Sequence, residues 1–219
     1  MADGGDCRDR SISASLSGPA LRQRSVLRDL LSCARPGNAD VWAERLLNEY
    51  GTLYAVIRGP ARRTLPFLNG CYDALDLLQT MHACHLEMLR GEVEEREPLT
   101  GEDAVQYLTA AIGHEETEVV WALFLDHRYR LIKSEALFRG GFDSCNIEVG
   151  MIMRRALELE ARALLLAHNH PSGDCTPSHA DKILTSQIAR AGKDLSVTLV
   201  DHLIISAESF TSFRRELLL

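Results

Sequence analysis

Apolar and polar residues follow a helical spacing through the first part of the chain. Three segments show it: LRQRSVLRDLLSCA, DVWAERLLNEYG and YDALDLLQTMHACHLEMLRG. A helix with apolar residues at every third or fourth position buries one face against its neighbours. Asp40 is placed to cap the second segment and Gly51 to end it, while Asn69 or Asp73 could open the third. Residues 21–90, which show no strand signal, are predicted to form a small all-α domain.

Polar stretches mark the boundaries of this helical part. Residues 1–20 lack apolar periodicity and are predicted to be a flexible tail. Residues 91–99 begin with GEVEERE and are predicted to be a solvated acidic linker. Thr100 and Asp103 form the pattern of a capping box, so a helix is expected from there to about Ile112.

Strands and helices alternate over the rest of the chain. VVWALFLDHRYRLIKSEALF predicts two strands around a turn at 126–130. The further predicted elements are a helix near 146–160, the apolar strand ALLLA at 163–167, a helix at 179–191 ended by Gly192, and the strand VTLVDHLIIS. This alternation predicts an α/β domain over residues 100–219.

Composition and charge narrow the class of protein. The chain has 219 residues, of which 46% are hydrophobic and 25% charged, as in a globular protein of one large or two small domains. No apolar stretch approaches the roughly 20 residues that cross a bilayer, and the acidic N-terminus is unlike a secretory signal. A cytoplasmic protein without membrane contact is therefore expected. The six cysteines include no C-x-x-C pair, and the net charge of −7 argues against a protein that coats DNA.

The densest polar segment, HNHPSGDCTPSHAD, directly follows the most apolar strand. Alternate residues of a strand point to the same side, so His168 and His170 can converge on one point. The prolines and glycine that follow form a turn that brings the next helix back towards them. Asp181, in the first turn of that helix, could supply a third ligand. Two imidazoles, a carboxylate and a water form an open zinc site of the catalytic type.

Plainer interpretations exist for each of these residues. Ser178 and Asp181 also form an ordinary capping box, and paired histidines at a strand end can be merely polar. The combined spacing H-x-H-P-x6-S-x2-D after a buried strand favours the metal site. Cys175 is not expected to be a ligand, and His202 is expected to be a buried, hydrogen-bonded residue.

His168, His170, Pro171, Ser178 and Asp181 match the JAMM signature of MPN metalloprotease-like domains. The fuller string HNHPSGDCTPSHAD, together with VDHLIIS at 200–206, resembles the RadC family, also called UPF0758 or "DNA repair protein RadC". The resemblance implies an MPN/JAMM domain with a cytidine-deaminase-like layered sheet. It also implies one Zn²⁺ per chain, held by the two histidines and the aspartate.

The JAMM pattern further implies an upstream glutamate that acts as general base on a zinc-bound water. Glu118, directly before the strand VVWALFLD, is the first candidate and Glu135 the second, with Glu115 and Glu116 close by. Ser178 would donate a hydrogen bond to the oxyanion. The implied reaction is hydrolysis of a peptide or isopeptide bond in a peptide or protein substrate.

The helical half of RadC-like proteins resembles a helix-hairpin-helix module, which binds DNA phosphates at a glycine-rich turn. Here that turn would be at Gly70, with Arg58, Arg62 and Arg63 upstream, but its second glycine is missing. A packing or partner-docking role is favoured over DNA binding. Two other functions stay open: a DNA-associated repair or recombination accessory protein, and a non-catalytic interaction module in which Asp181 only caps its helix. The oligomeric state is also open.

Overall fold

Helices alone form the first half of the computed structural model, which describes residues 18–140 and 148–219, and a five-stranded sheet forms the second half. The helices are α1 (Gly18–Ser32), α2 (Ala39–Tyr50), α3 (Leu53–Ile57), α4 (Ala61–Thr64), α5 (Tyr72–Glu95), α6 (Gly101–Ile112), α7 (Val149–Glu158) and α8 (His179–Asp194). The strands are β1 (Val119–Leu125), β2 (Leu131–Arg139), β3 (Ala163–Asn169), β4 (Thr198–Ile205) and β5 (Phe210–Ser212). In the described part of the chain, no helix has the length and apolarity needed to cross a membrane.

The predicted N-caps of α2 and α5 are wrong, because α2 begins before Asp40 and α5 begins between the two alternatives, Asn69 and Asp73. A short 3₁₀ turn runs directly into α2, so Asn38 is its N-cap residue. Asp40 instead lies in the first turn, where a carboxylate is favoured by the helix dipole and meets Arg24 at 3.1 Å. Helix α5 begins after Cys71, and Asp73 lies in its first turn.

Other expectations for the helical half are confirmed or extended. Gly51 ends α2 with a φ of 78°, a backbone conformation that glycine adopts without strain. Helix α1 begins at Gly18, so the predicted tail over 1–20 is helical at its end, and the remainder lies outside the described residues. The short helices α3 and α4 were not predicted.

Helix α5 joins the helical half to the sheet. Leu75 and Leu78 belong to the buried core of the helical half, whereas Leu89 and Val93 belong to the core on one face of the sheet. The predicted linker 91–99 is therefore wrong in its first part, which is the last turn of α5. Val93, the one apolar residue of GEVEERE, is only 2% exposed, and its burial against the sheet side extends the helix.

The sheet has the strand order β2-β1-β3-β4-β5. Strand β1 pairs antiparallel with β2 and β3, β3 pairs parallel with β4, and β4 pairs antiparallel with β5. One face packs against α5 and α6, and the other against α7 and α8. The predicted fold class, a layered α/β sheet preceded by a helical region, is confirmed.

Within the sheet region, the hairpin turn at 126–130 and the strand at 163–167 are confirmed, and β5 was not predicted. The first residues of the helix predicted near 146–160 lie outside the described part. The predicted end of a helix at Gly192 is wrong, since α8 continues to Asp194. A Cβ at Gly192 would lie 2.3 Å from the main-chain oxygen of Val197, so this glycine serves close packing rather than helix termination.

Candidate metal centre

Strand β3 carries the two predicted histidine ligands at its carboxyl end. Every residue of this strand is buried, and side chains alternate between the two faces of the sheet. His168 and His170 consequently share the face that packs against α8. Their Nε2 atoms lie 3.0 Å apart.

Asp181 comes to the same point from the first turn of α8. Its main-chain nitrogen donates to Oγ of Ser178 at 3.1 Å, and its Oδ2 accepts from the nitrogen of Ser178 at 2.8 Å, which completes the capping box. The same carboxylate lies 3.3 Å from Nε2 of His168 and 3.8 Å from Nε2 of His170. Both interpretations of Asp181, as a cap and as a ligand, are thus compatible with its position.

The donor atoms of these three side chains fit a metal ion. One ligand atom from each lies within 4.8 Å of the others. Nδ1 of His170 is 2.6 Å from the main-chain oxygen of Asp174, which can only accept, so Nδ1 carries a hydrogen and Nε2 is the nitrogen left to bind a metal. Burial lowers the pKa of His168 to about 4, although the Asp181 carboxylate acts in the opposite direction. Two imidazoles and a carboxylate form a donor set that suits zinc.

His202, on β4, lies behind His168. It is fully buried, stacks on the ring of Phe213 at 4.7 Å, and places Nε2 2.9 Å from Nδ1 of His168. Burial holds the pKa of His202 well below its usual value. The expectation of a buried, hydrogen-bonded histidine is confirmed. Its other partner, Thr185, was missed, although the four-residue step from Asp181 places both on one face of α8.

Glu118, the predicted general base, is half-buried and directly precedes β1. Its main-chain oxygen accepts a hydrogen bond from the nitrogen of Gly140 at 3.0 Å. Val120 pairs with His168 across β1 and β3. If the antiparallel pairing is extended by two residues, Glu118 lies opposite His170 and on the same face of the sheet as His168.

Asn169 ties the segment around Glu118 to β3. Its Oδ1 accepts from the nitrogen of Val119 at 2.7 Å, and its Nδ2 donates to the main-chain oxygens of Glu115 and Thr117 at 3.2 and 3.1 Å. Sequence reasoning missed this buried amide, because its partners lie about fifty residues earlier in the chain.

Glu135, the second candidate base, lies within β2. Its two carboxylate oxygens accept from the guanidinium of Arg155 at 2.5 and 3.1 Å. This hydrogen-bonded ion pair lowers the pKa of Glu135. Of the other glutamates, Glu115 pairs with Arg139 at 2.9 Å, and Glu116 is exposed.

Cys175 packs away from the metal-ligand cluster. Its thiol is buried beside Ile204 and Phe213, and Sγ lies 3.4 Å from Oγ of Ser209. Within the described residues, the candidate ligand cluster contains the two histidines and Asp181 but not Cys175. This position agrees with the expectation that the thiol is not a ligand.

The three arginines predicted near a DNA-binding turn make different contacts in the structure. Arg58 is only 4% exposed, and its guanidinium donates to the main-chain oxygen of Thr109 at the end of α6. Arg63 forms an ion pair with Glu49 at 2.6 Å. Arg62 is exposed in α4.

The turn at Gly70 has a φ of 75° and is exposed. The main-chain nitrogens of Asn69, Gly70 and Cys71 all donate to carbonyl oxygens of the preceding residues 65–68. These three amides are therefore engaged within the turn, which does not favour the phosphate contact. DNA binding stays a prediction.

A layered α/β sheet with two histidines at a strand end and an aspartate at the next helix start defines the JAB/MPN class of domains. A family model described as a RadC-like JAB domain matches residues 99–218. A UPF0758 protein of Rhodobacter capsulatus is 39% identical over 179 residues, which cover 81% of this chain and 83% of that protein. The chain belongs to the RadC family.

Proposed function

We propose that this chain is a zinc-dependent metallohydrolase that cleaves an amide bond in a peptide or isopeptide linkage. The observation that carries the proposal is the convergence of His168, His170 and Asp181 at the end of β3, with ligand atoms within 4.8 Å of one another. The JAB-like domain supports it, because this is a metallohydrolase-type fold.

One Zn²⁺ per chain would be held by His168, His170 and Asp181. Zinc supplies Lewis acidity, which acidifies water and polarises a carbonyl group. The burial of His168 and Asp181, each about 1% exposed, keeps the ligand side of the centre dry. Charge interactions there are stronger than in water.

We propose that the carboxylate of Glu118 accepts a proton from water and then donates it to the leaving amine. Its place on the His168 face supports this role. Ser178 is proposed to bind the oxyanion. Its Oγ already accepts from the nitrogen of Asp181, and this bond leaves the hydroxyl hydrogen available to a substrate oxygen. Cap and oxyanion donor are thus compatible roles.

The substrate is proposed to be a peptide or protein, and the place of action the cytoplasm. Free thiols at Cys33, Cys71, Cys84 and Cys175 favour a reducing compartment.

The test is the zinc content of the purified protein and of two ligand variants. About one zinc per chain is expected in the wild type, and none in His168→Ala or Asp181→Ala. Asp103→Ala is the control, because Asp103 holds the same position in the first turn of α6, and its carboxylate accepts from Oγ1 of the N-cap Thr100 at 2.6 Å, away from the histidines. It should keep its zinc.

A wild type without zinc would overturn the proposal. If Asp181→Ala then cost only the ~1 kcal/mol of a helix cap, the alternative of a non-catalytic module with Asp181 as a simple cap would be favoured.

A further inference from the structure

A continuous path of hydrogen bonds runs behind the three candidate ligands. Thr185, one turn after Asp181 on α8, donates its hydroxyl hydrogen to the main-chain oxygen of Asp181 at 2.6 Å. The same Oγ1 lies 2.6 Å from Nδ1 of His202 on β4. Nε2 of His202 lies 2.9 Å from Nδ1 of His168 on β3. The path therefore starts at one candidate ligand residue and ends at another.

The direction of each bond follows from the donors and acceptors available. A carbonyl oxygen cannot donate, so Thr185 gives its single hydrogen to Asp181. Its oxygen can then only accept from His202, and Nδ1 of His202 must carry a hydrogen. The neutral imidazole of His202 keeps a lone pair on Nε2, which accepts from Nδ1–H of His168. His168 is left with a lone pair on Nε2, the nitrogen that faces His170 and Asp181.

The path is held rigidly by its surroundings. Thr185, His202 and His168 are each 1% exposed or less. The ring of His202 is stacked on Phe213 with an angle of 23° between the planes. Strands β3 and β4 pair in parallel, with Leu166 opposite His202. Buried polar groups without partners are costly, so these residues stabilise the fold only as a connected set.

We propose that Thr185 and His202 are positioning residues for the metal centre, which fix the tautomer and ring orientation of His168. The inference rests on the proposed function, since it concerns the same zinc site. An imidazole with its hydrogen on Nε2 cannot bind a metal through that nitrogen. Loss of such supporting partners commonly weakens metal binding by about 10–100-fold.

Thr185→Val tests the inference, because valine has nearly the shape of threonine but no hydroxyl. Its zinc affinity, measured by competition with a chromophoric chelator, should be about 10–100-fold weaker than that of the wild type. Thr185→Ser keeps the hydroxyl and should bind zinc about as tightly as the wild type. Thr80→Val is the matched control, since Thr80 makes the same bond to the main-chain oxygen of Asp76 at an exposed position of α5. Thr185→Val affinity within threefold of the wild type would overturn the inference.

A second readout separates positioning from general loosening of the fold. Nitrogen NMR of the metal-free, ¹⁵N-histidine-labelled wild type should show His168 with its hydrogen on Nδ1. In Thr185→Val the hydrogen should be shared between the two ring nitrogens. A wild type with the hydrogen on Nε2 would contradict the proposed positioning role. This measurement needs no zinc, so it decides the inference even if the wild type binds no metal and the proposed function fails.

Discussion

At the scale of single residues, two glutamates that look alike in the sequence differ in what they can do. Glu135 is held by a two-point ion pair with Arg155, which keeps it ionised and fixed. Glu118 precedes β1 at the edge of the site, and Asn169 fixes the main chain on either side of it. A base needs both access to the reacting group and a proton affinity that suits transfer. These requirements favour Glu118.

We predict that Glu118→Gln abolishes amide hydrolysis while its zinc content stays near one per chain, because glutamine cannot accept the proton. Glu135→Gln should keep the hydrolytic activity and instead lose stability, since Arg155 keeps Glu158 but loses its two-point ion pair. Both variants are checked by zinc analysis and by cleavage of a panel of peptide and isopeptide substrates that the wild type cleaves. Full activity in Glu118→Gln would exclude it as the base.

Single residues also differ in whether their roles could be predicted from the sequence. The ligand set was predictable, because H-x-H on a strand and S-x-x-D at a helix start are local patterns. Asn169, Thr185 and His202 carry no such local pattern. Apart from the bond of Thr185 to the main chain of Asp181, the partners that give them their roles lie 17 to 54 residues away, and they are brought together by the paired strands and the packed helix.

At the scale of elements, the last turns of α8 contain a glycine that is required by close packing against the chain that follows the helix. Gly192 lies within the helix, where glycine is less stable than alanine by about 1 kcal/mol. The main-chain oxygen of Val197 approaches so closely that no Cβ fits. This contact sets the return of the chain into β4, the strand that carries His202.

We predict that Gly192→Ala destabilises the protein by roughly 1–3 kcal/mol, because the chain must shift to admit the methyl group. Gly91→Ala is the control, since a Cβ at Gly91 in α5 meets nothing within 4 Å. It should stabilise the protein by about 0.5–1 kcal/mol. Urea unfolding of both variants measures these differences, and equal effects of the two substitutions would contradict the packing explanation.

At the scale of the whole molecule, α5 belongs to two cores. Leu78 packs in the helical half and Leu89 in the core on the sheet. A continuous helix that is buried at both ends couples their unfolding, because it cannot lose one half of its packing without weakening the other. We therefore expect the N-terminal half to unfold together with the sheet.

We predict a single unfolding transition for the metal-free chain. Each half contains one tryptophan, Trp42 in the helical core and Trp121 on β1. Unfolding of Trp121→Phe followed by Trp42 fluorescence should coincide with the transition seen by circular dichroism, and Trp42→Phe should behave likewise. Leu78→Ala should lower the free energy of unfolding by about 2–5 kcal/mol without splitting the transition. Two separated transitions would show that α5 does not couple the cores.

The contact between the two halves should also make the free energy of unfolding depend on pH. His82 on α5 lies 3.2 Å from the main-chain oxygen of Ala110 on α6, and Arg58 binds the neighbouring carbonyl of Thr109. Burial lowers the pKa of His114 to about 4, and the charges of Arg58 and His82 act in the same direction. The unfolded chain therefore takes up a proton near pH 6.5, whereas folded His114 does so only near pH 4.

We predict that the free energy of unfolding decreases as the pH falls from about 6.5 to about 4, since the unfolded state binds more protons in this window. His114→Gln should make the decrease shallower. His127→Gln, at an exposed position of the β1–β2 turn, should leave it unchanged. Urea unfolding at several pH values provides the measurement. An unchanged slope in His114→Gln would mean that this histidine does not contribute.

The sequence by itself determined the division into a helical half and a layered α/β half, and the three candidate ligands. Helical periodicity, strand alternation and capping boxes depend on neighbours within a few residues, so they can be recognised in the chain alone. The tertiary structure decided that residues 91–95 extend α5 and that Thr185 and His202 orient His168. It also decided that the main chain of Val197 packs directly against Gly192. Each of these depends on contacts between elements far apart in the chain, whose closeness only the folded packing establishes.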